Sequence, residues 1–166
     1  MEKDILEIIY QKYTKSVYLY LYSLCHNQGM AEDLMQETFL RAFCSMEIAG
    51  EEIQPWLFTV ARNLYLDTWR KQRHQYGTPD FQEYANEEIE LLEQLIQKER
   101  NLRLYQAVGK LTQIEKEVVI LYYFSGLSQE EISRILELTY GNTRVLLYRA
   151  KRKLREMLRD MDGRQV

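Results

Sequence analysis

Residues 127–154, LSQEEISRILELTYGNTRVLLYRAKRKL, leave little choice of local fold, because they read as two helices joined by three residues. Ser128 followed by Glu131 is a capping box: hydroxyl and carboxylate satisfy backbone amides that a helix cannot pair at its own start. Ile132, Ile135 and Leu136 then recur at helical spacing, which leaves Glu137, Leu138 and Thr139 for the turn. The next helix carries Arg144, Arg149, Lys151, Arg152, Lys153 and Arg155, with no acidic residue between 138 and 155. Leu147, Ala150, Leu154 and Leu158 form its apolar stripe. This is the pattern of a helix-turn-helix, whose second helix enters the DNA major groove. A plain αα-hairpin with a solvated basic face shares the same local pattern.

The rest of the chain also reads as helix. Only 7 Gly and 2 Pro occur in 166 residues, mainly between periodic segments. Ile5, Ile9, Tyr13, Val17, Leu21 and Leu24 line one face of a helix over 4–25, broken by Asn27, Gln28 and Gly29. A second helix, from about Met30 to Met46, carries Leu34, Phe39, Ala42, Phe43 and Met46. Pro55 suits the first turn of a third, where its missing N–H is unpaired anyway. That helix sets Trp56, Val60 and Leu64 on one face, expected to be core, and runs to about His74. Tyr13, Tyr18, Tyr20 and Tyr22 are expected at the core boundary with their hydroxyls in water. Periodicity ends at Gly77, Thr78 and Pro79 and resumes with Leu92, Leu95, Ile96, Leu102, Tyr105 and Val108. Thr112 with Glu115 is a second capping box, opening a helix through Val118, Val119, Leu121 and Tyr122 that Gly126 ends. The expected fold is all-α: two small helical domains, 1–76 and 92–162, joined by a flexible acidic linker over 77–91, the second containing the helix-turn-helix.

The net charge of −3 conceals a segregation. Residues 1–61 hold 4 basic and 9 acidic side chains (net −5). Residues 62–76 set Arg62, Arg70, Lys71 and Arg73 against Asp67 (net +3). Residues 77–99 set Lys98 against seven acids (net −6), and residues 100–166 hold 13 basic and 8 acidic (net +5). Two basic patches around an acidic segment fit two contacts with a polyanion and a middle that avoids it. Tyr65, Trp69 and Tyr76 lie in the first patch, where aromatics beside arginines are able to stack on single-stranded bases.

Several functions are argued against. His26 and His74 stand in different helical contexts, without a nucleophile partner, a phosphate-cradling glycine loop or metal-ligand spacing, so neither catalysis, nor metal, nor cofactor is expected. Cys25 and Cys44, far apart and without a CxxC partner, read as reduced, half-buried thiols. The charged start MEKDILEIIYQKY is not a signal peptide, and no apolar run reaches the roughly 20 residues of a membrane span. A cytoplasmic protein without membrane insertion is expected.

Three stretches together resemble one family. AEDLMQETFLRAF at 31–43, PWLFTVARNLYLDTWRKQRH at 55–74 and the terminal segment from Leu111 to Leu154 are similar, in order and spacing, to bacterial RNA polymerase sigma factors. The short chain and the lack of anything between two helical domains resemble the extracytoplasmic-function (ECF) branch. The resemblance covers about 150 of the 166 residues. It implies a factor without catalysis of its own that binds core polymerase and directs promoter-specific initiation. Its implied partners are the polymerase β′ coiled coil and β subunit, promoter DNA and an anti-sigma factor.

The resemblance also assigns residues. Asp33, Gln36 and Glu37, with Arg41 a turn beyond, fall in the stretch that binds the β′ coiled coil. Thr59, Asn63 and Asp67 fall in the helix that recognises and opens the −10 element, among Arg62, Arg70, Lys71 and Arg73. Their i, i+4, i+8 spacing projects them from one face. Asparagine reads a base edge by paired hydrogen bonds while arginine and lysine hold phosphate. The preceding loop, Ile48–Gln54, is the family's pocket for a base flipped from the melted strand. In the last helix Arg144, Val145, Tyr148 and Arg149 take the −35 base-reading positions; Lys151, Arg152, Lys153 and Arg155 are left for phosphates or an acidic polymerase surface. Two departures stand out. Glu137 occupies a turn position where the family usually has glycine, so a left-handed backbone there is expected to cost roughly 1 kcal/mol. Val145 and Leu146 replace a small polar and a basic residue, so Val145 is placed to touch a thymine methyl group. The alternative is a free-standing helix-turn-helix transcriptional regulator, which would need a dimerisation segment to reach two half-sites.

Overall fold

The computed structural model describes residues 2–45, 53–76 and 99–163. These residues are helical with short connections and no strand among them. The linker expected over 77–91, the helical periodicity over 92–98 and most of the loop before Ile53 lie outside the described residues. Two compact units divide the chain, residues 1–80 and 81–166.

In the first unit, α1 (Glu2–Cys25), α2 (Gln28–Cys44) and α3 (Ile53–Tyr76) pack on one another. The break between α1 and α2 is tighter than periodicity suggests. His26 takes a positive φ of 53°, and Asn27 caps α2 by accepting from the Met30 amide at 2.9 Å. Gln28 and Gly29 therefore sit inside the second helix, because a side-chain cap at Asn27 supplies the partner that the first turn lacks.

The core of this unit is Val17, Tyr20, Leu21, Phe39, Leu57, Phe58 and Ala61, with the Tyr20 and Phe58 rings edge to face at 5.7 Å. Three sequence expectations need correcting. Tyr20 and Tyr22 are buried, since two neighbouring helices cover more of α1 than a single stripe. Ile5 is exposed, and the α1 stripe enters the core only from Val17; α2, at 17 residues, is shorter than the 24-residue α1 it packs against. In α3 the buried set is Leu57, Phe58, Ala61 and Leu64, while Trp56 and Val60 are only half-buried. The run WLF offers three adjacent apolar residues, so periodicity leaves its phase ambiguous by one position.

The second unit contains α4 (Glu99–Gly109), α5 (Gln113–Val119) with a π-helical turn over Ile120–Phe124, α6 (Gln129–Leu136) and α7 (Tyr140–Gly163). Both predicted capping boxes form, Thr112 with Glu115 and Ser128 with Glu131. In the π turn the Ser125 amide reaches back five residues to the Ile120 carbonyl at 3.0 Å, and the Ser125 hydroxyl donates to that oxygen at 3.2 Å. Gly126 then reverses the chain at φ +72°. Glu137 has φ 56° and ψ 42°, the left-handed conformation expected of it. Its neighbour Leu138 donates its amide to Ser133 at 2.9 Å, which closes the helix end. Ile132, Ile135, Leu136, Leu147, Ala150 and Leu154 are buried where α6 and α7 meet the rest of the unit, and Leu158 is half-buried.

Candidate nucleic-acid interface

The helix-turn-helix orients α7 by burying one side of it. Thr143, Leu147, Ala150 and Leu154 face inward, so Arg144, Val145, Tyr148 and Arg149 stand exposed on the opposite side. Tyr148 is 67% exposed and Val145 46%, values that place two large side chains in solvent beside two arginines. The Arg144 guanidinium lies 5.8 Å from the Tyr140 ring centre. Thr139 caps α7 by accepting from the Asn142 amide at 3.1 Å, so the helix begins one turn before its exposed stripe.

The remaining cations of α7 are not alike. Arg152 pairs with Glu156 on its own helix at 3.4 Å, while Arg155 and Arg159 line a surface groove with Tyr148, Lys151 and Arg152. Lys151 sits over the rings of Tyr122 and Tyr123 at 5.8 and 5.6 Å, and Lys153 donates to Glu115 at 2.8 Å. Two lysines left by the sequence for phosphates or an acidic polymerase surface are thus engaged within the unit. Glu115 is almost fully buried, and its Oε1 also accepts from the Thr112 hydroxyl at 2.6 Å and amide at 3.3 Å. Burial pushes this carboxyl upward, but the hydrogen bonds from Lys153 and Thr112 and the Lys153 charge outweigh it and hold the pKa below its usual value. Sequence reasoning found the capping box at Glu115 and missed its second partner, which lies 38 residues away.

In the first unit, α2 exposes Asp33, Gln36, Glu37 and Arg41 on the side opposite Leu34, Met35, Thr38 and Phe39. Arg41 pairs with Glu37 at 3.3 Å. On α3, Asn63, Asp67, Arg70, Lys71 and Arg73 are exposed, whereas Thr59 and Arg62 are half-buried. The Thr59 hydroxyl donates to the Pro55 carbonyl at 2.9 Å. Arg70 lies 3.7 Å from Asp67, and Arg73 lies over the Trp69 ring at 5.1 Å. Cys44 is exposed rather than half-buried, because it ends α2, and neither it nor Cys25 forms a disulfide among the described residues. Among the described residues no helix is long and apolar enough to cross a membrane.

The sigma-70 region 2 model matches residues 9–75, the span of α1 to α3, and the sigma-70 region 4 model matches residues 101–154, the span that holds the helix-turn-helix. SigM of Bacillus subtilis, an ECF RNA polymerase sigma factor, is 30% identical over 159 residues, covering 90% of this chain and 92% of SigM. BldN of Streptomyces coelicolor is 32% identical over 164 residues, 96% of this chain and 62% of BldN. The backbone is similar to that of the Bartonella quintana sigma factor RpoE, solved with the anti-sigma factor NepR: TM-score 0.66, 23% identity, 95% of this chain and 98% of that one. With both regions in family order and SigM matched along nearly its whole length, the chain belongs to the ECF RNA polymerase sigma factors, and its function is promoter-specific transcription initiation.

Proposed function

We propose that the chain brings core RNA polymerase to its promoters through three exposed helical faces, one for each contact. The α2 face of Asp33, Gln36, Glu37 and Arg41 docks on the polymerase β′ coiled coil. The α3 face of Thr59, Arg62, Asn63, Asp67, Arg70 and Lys71 meets the −10 element, and the α7 stripe of Arg144, Val145, Tyr148 and Arg149 reads the −35 element. Residues 1–76 and 92–162 act as the two promoter-binding domains, with 77–91 as an acidic linker. The protein is cytoplasmic and has no catalytic activity of its own. An anti-sigma factor holds it in check, a reading supported by the NepR complex of RpoE.

The observation that carries this reading is the division of α7. A fully buried side fixes the helix in its unit, and the opposite side offers a major groove two arginines, an aromatic ring and a valine. Run-off transcription with purified core polymerase tests it. Initiation from defined promoters only when the chain is added is the expected result. Tight binding of a palindrome by the chain alone, with no initiation, would make it a free-standing regulator. Alanine at Asp33, Gln36 and Glu37 together should abolish core association without loss of helicity, because these side chains lie outside the packed face.

A further inference from the structure

The buried and exposed sides of α7 leave two flanks between them, and each flank holds one lysine. At 3.6 residues per turn, Lys153 lies roughly 40° round the helix from Arg149, and Lys151 roughly 20° from Arg144. Neither lysine extends into solvent alone. The Lys153 ammonium ends on Glu115 at 2.8 Å, and the Lys151 ammonium rests against Tyr122 and Tyr123. The two edges of the reading stripe are therefore tied to the segment that precedes the helix-turn-helix.

The Glu115 tie is the stiffer of the two. Its carboxylate is only 5% exposed and is fixed from behind by both the hydroxyl and the amide of Thr112. A carboxylate held in this way offers Lys153 one position, whereas an exposed partner would offer many. Glu115 Oε2 is buried with no hydrogen-bond partner, so rotating the group away from Lys153 would break bonds without an evident replacement. Apolar packing alone tolerates small rotations of a helix, because leucine and alanine contacts are non-directional. A charge-assisted hydrogen bond is directional.

We propose that Glu115 and Lys153 are positioning residues that set the rotation of α7, and so determine which base edges Arg149 and its neighbours meet. This rests on the reading of α7 as the −35 helix. Lys153 acts through Glu115 rather than on the DNA backbone, and Glu115 has two functions, capping α5 and bracing the helix that reads DNA.

The test is transcription by core polymerase reconstituted with the full chain, on templates that differ singly at each −35 position, across a range of salt. Glu115→Gln keeps an acceptor for the capping box, since glutamine serves there too, and removes only the charge. Lys153→Met keeps the aliphatic stem. Each variant should narrow the spread between the best and worst −35 base by about fivefold, the double variant no further, and the salt slope should stay unchanged. A flattened salt slope for Lys153→Met, with the spread intact in Glu115→Gln, would make Lys153 a phosphate contact and overturn the proposal. A lowered melting temperature with the spread intact would make the pair structural only, and also overturn it. Arg149→Ala separates the two readings. If it alters the spread while the brace variants do not, the brace alone falls; if none alters it, the −35 assignment of α7 falls and the brace with it.

Discussion

The helices α3 and α7 each run 24 residues and each pair cations within themselves, yet α7 also holds two lysines from outside. On α3, Arg70 meets Asp67 and Arg73 meets Trp69, both partners within the same helix. On α7, Lys151 and Lys153 reach back to Tyr122, Tyr123 and Glu115, side chains that precede the helix-turn-helix. Charges paired within a helix do nothing to orient it. Charges paired across helices tie it to its neighbours. The comparison teaches that a cation beside the stripe proposed to read DNA is not a phosphate contact until its partners are known.

The largest effects should show what the two helices share. Phe58 in α3 is fully buried and Leu147 in α7 nearly so, and both seat their helix by apolar contact. Phe58→Ala should cost about 3–5 kcal/mol and Leu147→Ala about 2–5 kcal/mol in denaturant unfolding. A cost under about 1 kcal/mol for Leu147→Ala would mean that polar ties, rather than packing, hold α7 in place.

At the next level the exposed stripe of α7 is separated from its supports. Arg149→Ala should weaken use of one or two −35 base identities by about 1–3 kcal/mol, leaving other positions alone. Equal loss on every −35 variant would reduce Arg149 to a backbone contact and erase one difference between α7 and an ordinary basic helix.

Acid titration isolates the Glu115 brace of α7, for which α3 shows no counterpart among the described contacts. The folded pKa of Glu115 lies below its usual 4.5. Its contribution to stability is therefore fully present above about pH 4.5 and is lost as pH falls through the lower folded value. Glu115→Gln should flatten the acid limb of the stability curve below about pH 5. An unchanged limb would show that the carboxylate is not charge-stabilised as its contacts with Lys153 and Thr112 require. The smallest effect should be Asp67→Asn, which removes an exposed i, i+3 pair at 3.7 Å and should change stability by about 0.2–0.5 kcal/mol at most.

What was legible in the sequence follows the reach of each interaction. Capping boxes at Thr112 and Ser128 span three residues, and both form. The left-handed residue Glu137 is legible from the glycine that the resembled family usually has in that turn, and the exposed stripe of α7 from the phase of its leucines. The buried face of α3 was misjudged by one position, because Trp56, Leu57 and Phe58 are equally apolar and only contact with α1 and α2 chooses among them. The Glu115–Lys153 pair was illegible: nothing local marks a lysine whose acceptor is 38 residues away. Nor does anything in ILYYF announce that its backbone widens into a π turn.

That widened turn makes the second unit sensitive to the length of its chain at one place. Closing five residues instead of four accommodates one residue beyond the α-helical repeat, and such turns are rare enough to be kept for a reason. Deleting a single residue between Ile120 and Phe124 would let the ordinary repeat return and swing everything after it by roughly 100°. Gly126, the Ser128 cap and the start of α6 would then leave α5 in a different direction, and Tyr122 and Tyr123 could no longer both face Lys151. Homologous chains that keep this geometry should hardly vary in the number of residues over 120–124, whatever substitutions the buried Leu121 and the tyrosine pair allow.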